Sequence, residues 1–283
     1  MNDSSHDLEI VQARDYYIVQ HNDLVQTQQY ILKNVGKAMS ATEEKLLAYI
    51  ISQIKPNAET LEPITLDIKT FCAVCGLARG KNDNCYTFIK SVLNKMLDRH
   101  GWLFNRKTEK ETSVRFIDKA IMSKREGKVQ IILDEDLEPY LIKLYGNYFQ
   151  FRFHNILAMK SKYGIRLYKL LKSYYHEYRR LKFSIDDLKM NLDATSYKEF
   201  KRFKEKVLTP ALRDINTYSD LEVTAEFIKS GRNYTHIVFT MKDLEKAKNP
   251  EAIEEAQRRY LNVEREINPD QLVIDGFLGG MLE

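Results

Sequence analysis

With 283 residues, 43% of them hydrophobic, the chain has the length for two domains and the apolar content for packed cores, which excludes a globally disordered protein. Its best apolar run, LLAYII at 46–51, is far short of the roughly 18 residues of a membrane span, the polar opening MNDSSHDLEI is no secretory leader, and three cysteines make no disulfide framework and suit a reducing cytoplasm. The net charge is only +4, yet residues 158–206 hold 14 Lys and Arg against 6 Asp and Glu while 246–283 hold 5 against 8; so concentrated a positive field points to a polyanion, nucleic acid first.

Residues 1–14 read as a flexible terminus, and 15–32 as edge-forming segments. SATEEKLLAYIISQI (40–54) is a helix. Ser40 and Glu43 have the spacing of a capping box, and Leu46, Leu47, Ile50 and Ile54 form the apolar stripe. PITLDI (63–68) reads as a strand, KTFCAVCGL (69–77) as a short helix, and NDNCYTFIKSVLNKMLDRHG (82–101) as a long one. Tyr86, Ile89, Val92, Leu93 and Met96 supply the core face of that helix. TSVRFIDKAIM (112–122) and KVQIIL (128–133) pair across the basic tip SKREG. DEDLEPYLIKLYGNY (134–148) reads as a helical link. Its Asp134, Glu135, Asp136 and Glu138 suit the positive end of a helix better than a Mg²⁺ site.

SKYGIRLYKLLKSYYHEYRR (161–180) is amphipathic. On a helical wheel Leu167, Tyr168, Leu170, Leu171, Tyr174, Tyr175 and Tyr178 share one side. Lys162, Arg166, Lys169, Ser173, His176 and Arg180 share the other. The tyrosines are expected in the core and the cations in water. LKFSI (181–185) reads as a strand and IDDLKMNLD (185–193) as a short helix capped by Ser184. ATSYKEFKRFKEKVLTPALRDINTYSD (194–220) reads as a long helix capped by Ser196 and kinked by Pro210, with Phe200, Phe203, Val207, Ala211 and Ile215 inward. LEVTAEFIKSGRNYTHIVFTMK (221–242) is a hairpin with a polar, basic tip. NPEAIEEAQRRYLNVEREI (249–267) reads as a helix with Asn249 as cap and Pro250 at its first position, ahead of a flexible tail.

The order helix, strand, short helix, long helix, hairpin occurs twice. It predicts an α+β fold of two tandem winged-helix domains, a pseudo-repeat that is mainly helical with small antiparallel β-hairpin wings. The domains would span 15–148 and 149–245, followed by a C-terminal helix and tail at 246–283. In such a fold the long helix enters the major groove and the wing reaches the backbone beside it. Candidate DNA contacts in the second domain are Lys160, Lys162, Arg166 and Lys169 for phosphates. Tyr197, Lys198, Lys201, Arg202 and Lys206 belong to the reading helix, and Lys229, Arg232 and Asn233 to the wing. Arg79, Lys81 and Lys90 give the first domain an auxiliary contact.

VQHNDLVQTQQYIL (19–32) with SATEEKLLAYIISQI, LAMKSKYGIRLYKLLKSY (157–174), KFSIDDLKMNL (182–192) and SYKEFKRFKEKVLTPALRDINTYSDLEV (196–223) resemble the iteron-binding, theta-type plasmid replication initiators over roughly residues 15–242. The resemblance implies binding to directly repeated double-stranded origin sites, a homodimer formed through the first domain, and recruitment of a host initiator and the replicative helicase.

No GxxxxGK[ST] loop is present for a built-in P-loop ATPase, and the six histidines form no His-x-His pair for a nickase metal. Cys72, Cys75, Cys85 and His100 are poorly spaced for zinc, and small buried cysteines are ordinary in a short helix. The expected protein is therefore not an enzyme and needs no cofactor and no metal. It binds origin DNA, starts plasmid replication, and acts away from any membrane. The rivals are a nickase or primase-like enzyme on the same DNA, and a plain repressor of its own promoter.

Overall fold

The computed structural model describes residues 17–26, 39–54, 58–74, 84–105, 109–142, 144 and 148–244. Strand β1 (Tyr17–His21) and helix α1 (Asn22–Gln26) open the chain, followed by α2 (Ala41–Ser52). Ser40 caps α2 as its spacing predicts. Its hydroxyl accepts from the Glu43 N–H, and the Glu43 carboxylate accepts from the Ser40 N–H at 2.7 Å. Then come β2 (Ile64–Asp67), α3 (Ile68–Val74) and α4 (Asn84–Leu97), with Ile89, Val92, Leu93 and Met96 of α4 buried and Tyr86 partly so.

The segment after α4 departs from the expected pattern. The helix stops at Leu97, and His100–Asn105 is a strand, β3, paired with β4 (Lys110–Arg115). The single strand expected at 112–122 is broken at Phe116, so that β4 serves one sheet and β5 (Ile117–Ser123) another. Both pieces read as extended chain, and sequence alone does not reveal a change of pairing partner at Phe116. β6 (Lys128–Leu133) lies between β2 and β5. At the start of the link, a 3₁₀ turn (Glu135–Leu137) runs into the short α5 (Glu138–Leu141). Asp134 caps the turn by accepting from the Asp136 N–H. Strand β7 (Tyr148–Arg152) returns to pair with β1, bringing Ile18 opposite Phe151, both buried.

The second unit follows α6 (His154–Leu157). It consists of α7 (Lys162–Tyr174), β8 (Arg180–Ser184), α8 (Ile185–Asn191), a continuous helix α9 at 200–218, β9 (Leu221–Ser230) and β10 (Asn233–Asp243). Ser184 caps α8 as expected. Helix α9 starts at Phe200 rather than 194, and Ser196 lies in the preceding turn rather than at its cap. Pro210 acts one turn upstream of itself. Having no N–H to give the Lys206 carbonyl, it is preceded by a π-helical turn at Lys204–Leu208, where the Thr209 N–H reaches back to Lys204. Phe203, Val207, Ala211 and Ile215 are buried as predicted.

The two units repeat one topology. The sheets run β2-β6-β5 and β8-β10-β9, each with the early strand beside the second strand of the hairpin. This is two tandem winged helices in an α+β chain. Their cores are continuous, one buried cluster running from Ile18 through Leu170 to Met241. Cys72 of α3 and Cys85 of α4 are bonded to each other, with Cα atoms 5.7 Å apart. That corrects the expectation of ordinary thiols and takes both sulfurs away from any zinc set. Among the described residues no helix is long and apolar enough to cross a membrane, and no group of three or more His, Cys, Asp or Glu is placed to hold a metal ion. The expected helix at 249–267 lies outside the described residues.

Candidate nucleic-acid interface

A group of exposed cations in the second unit lies on α9, on the turn that precedes it and on the β9–β10 wing. Helix α9 presents Lys201, Arg202, Lys204 and Lys206 to solvent, and Lys198 is exposed in the turn before it. That turn is built firmly. Asp193 adopts φ +50°, the Ala194 N–H bonds the Lys189 carbonyl at 2.7 Å, and Lys189 reaches under the turn to the Lys198 carbonyl at 3.3 Å. Arg202 faces Glu199 at 3.9 Å with both side chains about three-quarters exposed, a pairing too wet to hold it.

The wing is fastened to α9 by rings. Phe200 stacks on Tyr234 with centroids 4.3 Å apart and meets Phe227 edge-on at 5.6 Å. Lys204 lies 4.5 Å over Phe227 and Lys229 4.7 Å over Tyr234, so the stems of two cations spread across the same aromatic surface. The tip is a two-residue turn, Gly231-Arg232. Gly231 has φ +61° at the first central position, where a II′ turn needs glycine. Lys229, Arg232 and Asn233 are all exposed there. Lys204, Phe227 and Tyr234 were not singled out in the sequence, and Phe200, assigned to the inward stripe of α9, is only partly buried and packs on the wing instead. The signal was present in the hairpin, since Phe227 and Tyr234 lie on either side of SGRN.

The start of α7 closes the other flank. Tyr163 meets Tyr197 edge-on at 6.4 Å. Lys160 is exposed, and Lys162 is half-buried with its ammonium 4.9 Å over the Tyr163 ring. Partial burial, and then the nearby Arg166 charge, push the Lys162 ammonium below its usual range. Asp214 of α9 is buried and accepts the Lys160 and Ser161 N–H groups at 2.8 and 2.6 Å, which fixes α9 against the α7 N-terminus.

Arg166 and Lys169 do not belong to this surface, which corrects their assignment as phosphate contacts. They are 1% and 3% exposed, and both are bonded to the fully buried Glu44 of α2. The wheel that put them in water omitted the other unit. α7 packs against α1, α2 and β7, with Glu44 of α2 on the Arg166 side, so most of the helix is interior. The tyrosine side holds better. Tyr168 is buried, accepting from Asn155 at 2.9 Å and donating to Asp220 at 2.8 Å, whereas Tyr178 is past the helix end and exposed. In the first unit Lys90 is exposed on α4; Arg79 and Lys81 lie outside the described residues.

A family model described as "Initiator Replication protein, WH1" matches residues 17–172, and one described as "Initiator Rep protein, WH2" matches 184–241. The chain belongs to the initiator replication protein family. The WH1 match runs through nearly all of α7, beyond the division at 148/149 expected from the sequence, and the WH2 match covers β8 to the wing. One relative, a "Replication initiation protein" of Escherichia coli, is 22% identical over 243 residues, covering 83% of this chain and 74% of its own length. A solved structure of domains 2 and 3 of RctB aligns with 73% of this initiator and 81% of its own chain, at 13% identity and a TM-score of 0.37. The exposed cations of α9 and its entry turn and the braced wing fall within the WH2 match, whereas Lys90, Lys160 and Lys162 fall within the WH1 match.

Proposed function

We propose that this chain is a plasmid replication initiator that binds directly repeated double-stranded sites at its origin, with the second winged helix as the main reader. The observation that carries the reading is the basic surface of α9 and the β9–β10 wing, held as one body by Phe200, Phe227 and Tyr234, in a chain of the initiator family. Lys198, Lys201 and Arg202 meet base edges, because helix docking puts the first turns of the reading helix in the major groove. Lys160, Lys162, Lys204, Lys206, Lys229, Arg232 and Asn233 hold phosphates on either side. Lys90, with Arg79 and Lys81, gives the first unit an auxiliary contact. The first unit also forms a homodimer, and the bound protein deforms the duplex and recruits a host initiator and the replicative helicase in the cytoplasm. It acts by binding and not by making or breaking covalent bonds.

The test is a binding titration on origin repeats and on random duplex at several salt concentrations. Arg202→Ala loses about 1–3 kcal/mol on the repeats and much less on random DNA. Lys204→Ala weakens both alike and lowers the salt slope by about one. Equal losses from Arg202→Ala on both duplexes would remove α9 as the base reader. A nicked product from supercoiled origin DNA with Mg²⁺ would replace the reading with the enzymatic one.

A further inference from the structure

Three charged side chains are buried in the interior behind the start of α7, one turn from Lys162. Glu44 of α2 accepts Arg166 Nε at 2.9 Å on one oxygen and Lys169 Nζ at 2.7 Å on the other. Burial alone would push the Glu44 carboxyl up; the Lys169 and Arg166 charges outweigh it and hold it below the usual range. Arg166 does more than pair. A second nitrogen donates to the Met39 carbonyl at 3.0 Å, just before α2, and the third to the Leu192 carbonyl at 3.2 Å, at the end of α8. One planar guanidinium therefore holds the first unit at two points and the second unit at one. The cluster has one more positive charge than negative, and the C-terminal end of α8 faces that excess with its negative dipole end.

Buried ion pairs contribute little net stability, because desolvation offsets the attraction. What a forked guanidinium supplies is direction. α7 is clamped to α9 through Asp214 and, by this cluster, to α2. The angle between α2 and α7 consequently fixes where the first winged helix stands relative to the reading helix of the second.

We propose that Glu44, Arg166 and Lys169 are positioning residues, an orientation lock that holds the two winged helices at the angle at which both engage one DNA site. The lock sets the length of DNA recognised without touching it, and it rests on the reading that both units contact DNA.

The experiment uses the full chain and two duplexes cut from the origin repeats. One is the whole footprint of the natural protein; the other is only the part protected by the second unit. A triple variant, Glu44→Leu with Arg166→Met and Lys169→Leu, removes the charges without leaving one stranded. Arg166→Lys keeps a cation beside Glu44 but cannot make the three-way fork. Both variants keep natural affinity for the short duplex and lose about 10- to 100-fold on the long one, as when a linked second contact is lost. Should the triple variant fail to unfold cooperatively, Arg166→Lys alone decides. An unchanged ratio of long to short affinity overturns the lock. If the natural protein prefers neither duplex to random DNA, the DNA reading itself fails. Small-angle scattering of the free chain then judges the lock: a larger radius of gyration in the variants supports it, and an unchanged curve overturns it.

Discussion

At the scale of single residues, environment rather than residue type decides what a charge does. His154 shows it by titration. Burial, then the neighbouring Arg152 charge, lower its pKa from the ordinary 6.5 to about 4, so the folded protein keeps the ring neutral. Between these values the unfolded chain takes up a proton that the native state refuses. Stability is therefore full above about pH 6.5 and falls as pH drops toward 4. The loss is roughly 2–3 kcal/mol by pH 4.5. Urea unfolding at pH 7 and pH 4.5 measures it, and His154→Gln has a correspondingly shallower pH dependence. A variant whose pH slope matched the natural protein's would show that other groups carry it. The local sequence FRFHNIL shows the Arg152 charge but not the burial, which is the larger cause and comes from the fold.

At the scale of elements, the α7–α9 contact explains Gly164 in the first turn of α7. A Cβ on Gly164 would stand 3.1 Å from the Asp214 Cβ and 3.5 Å from the Ala211 carbonyl oxygen. Asp214 cannot yield freely, since it holds the Lys160 and Ser161 N–H groups. Gly164→Ala gains up to about 1 kcal/mol in helix propensity and loses more to overpacking, about 1–3 kcal/mol. The expected outcome is a lower urea midpoint with an unchanged slope; a raised midpoint would mean that α9 slides to make room. Most elements were legible from periodicity and capping: α2 with its Ser40–Glu43 box, α8 with Ser184, and the inward stripe of α9. The β3–β4 hairpin was not. HGWLFN continues an apolar pattern out of α4, and only pairing with β4 makes it a strand.

At the scale of the whole molecule, the two units are not independent beads. The β1–β7 ladder, the continuous core and the Glu44 cluster all cross the division at 148/149. A fragment of residues 149–245 loses the partner of β7 and leaves Arg166 and Lys169 without their carboxylate. It also uncovers Phe149, Phe151 and Phe153. Such a fragment is expected to bind a hydrophobic dye and to unfold without a sharp transition; a sharp transition in a dye-free monomer by sedimentation would refute this. Extending it to begin before β1 restores cooperativity.

The sequence by itself determined the pseudo-repeat, the α+β class, the Ser40 and Ser184 helix caps and the concentration of positive charge in the second unit. These follow from interactions between residues a few positions apart, and periodicity records such interactions. It also singled out Lys198, Lys201, Arg202, Lys229 and Arg232, all of which are exposed on α9, its entry turn or the wing. Tertiary structure alone decided which cations face water. Arg166 and Lys169 lie on the polar side of α7 by sequence, but their partner Glu44 is more than 120 residues away. A helical wheel knows one helix, whereas burial depends on what the rest of the chain lays against it.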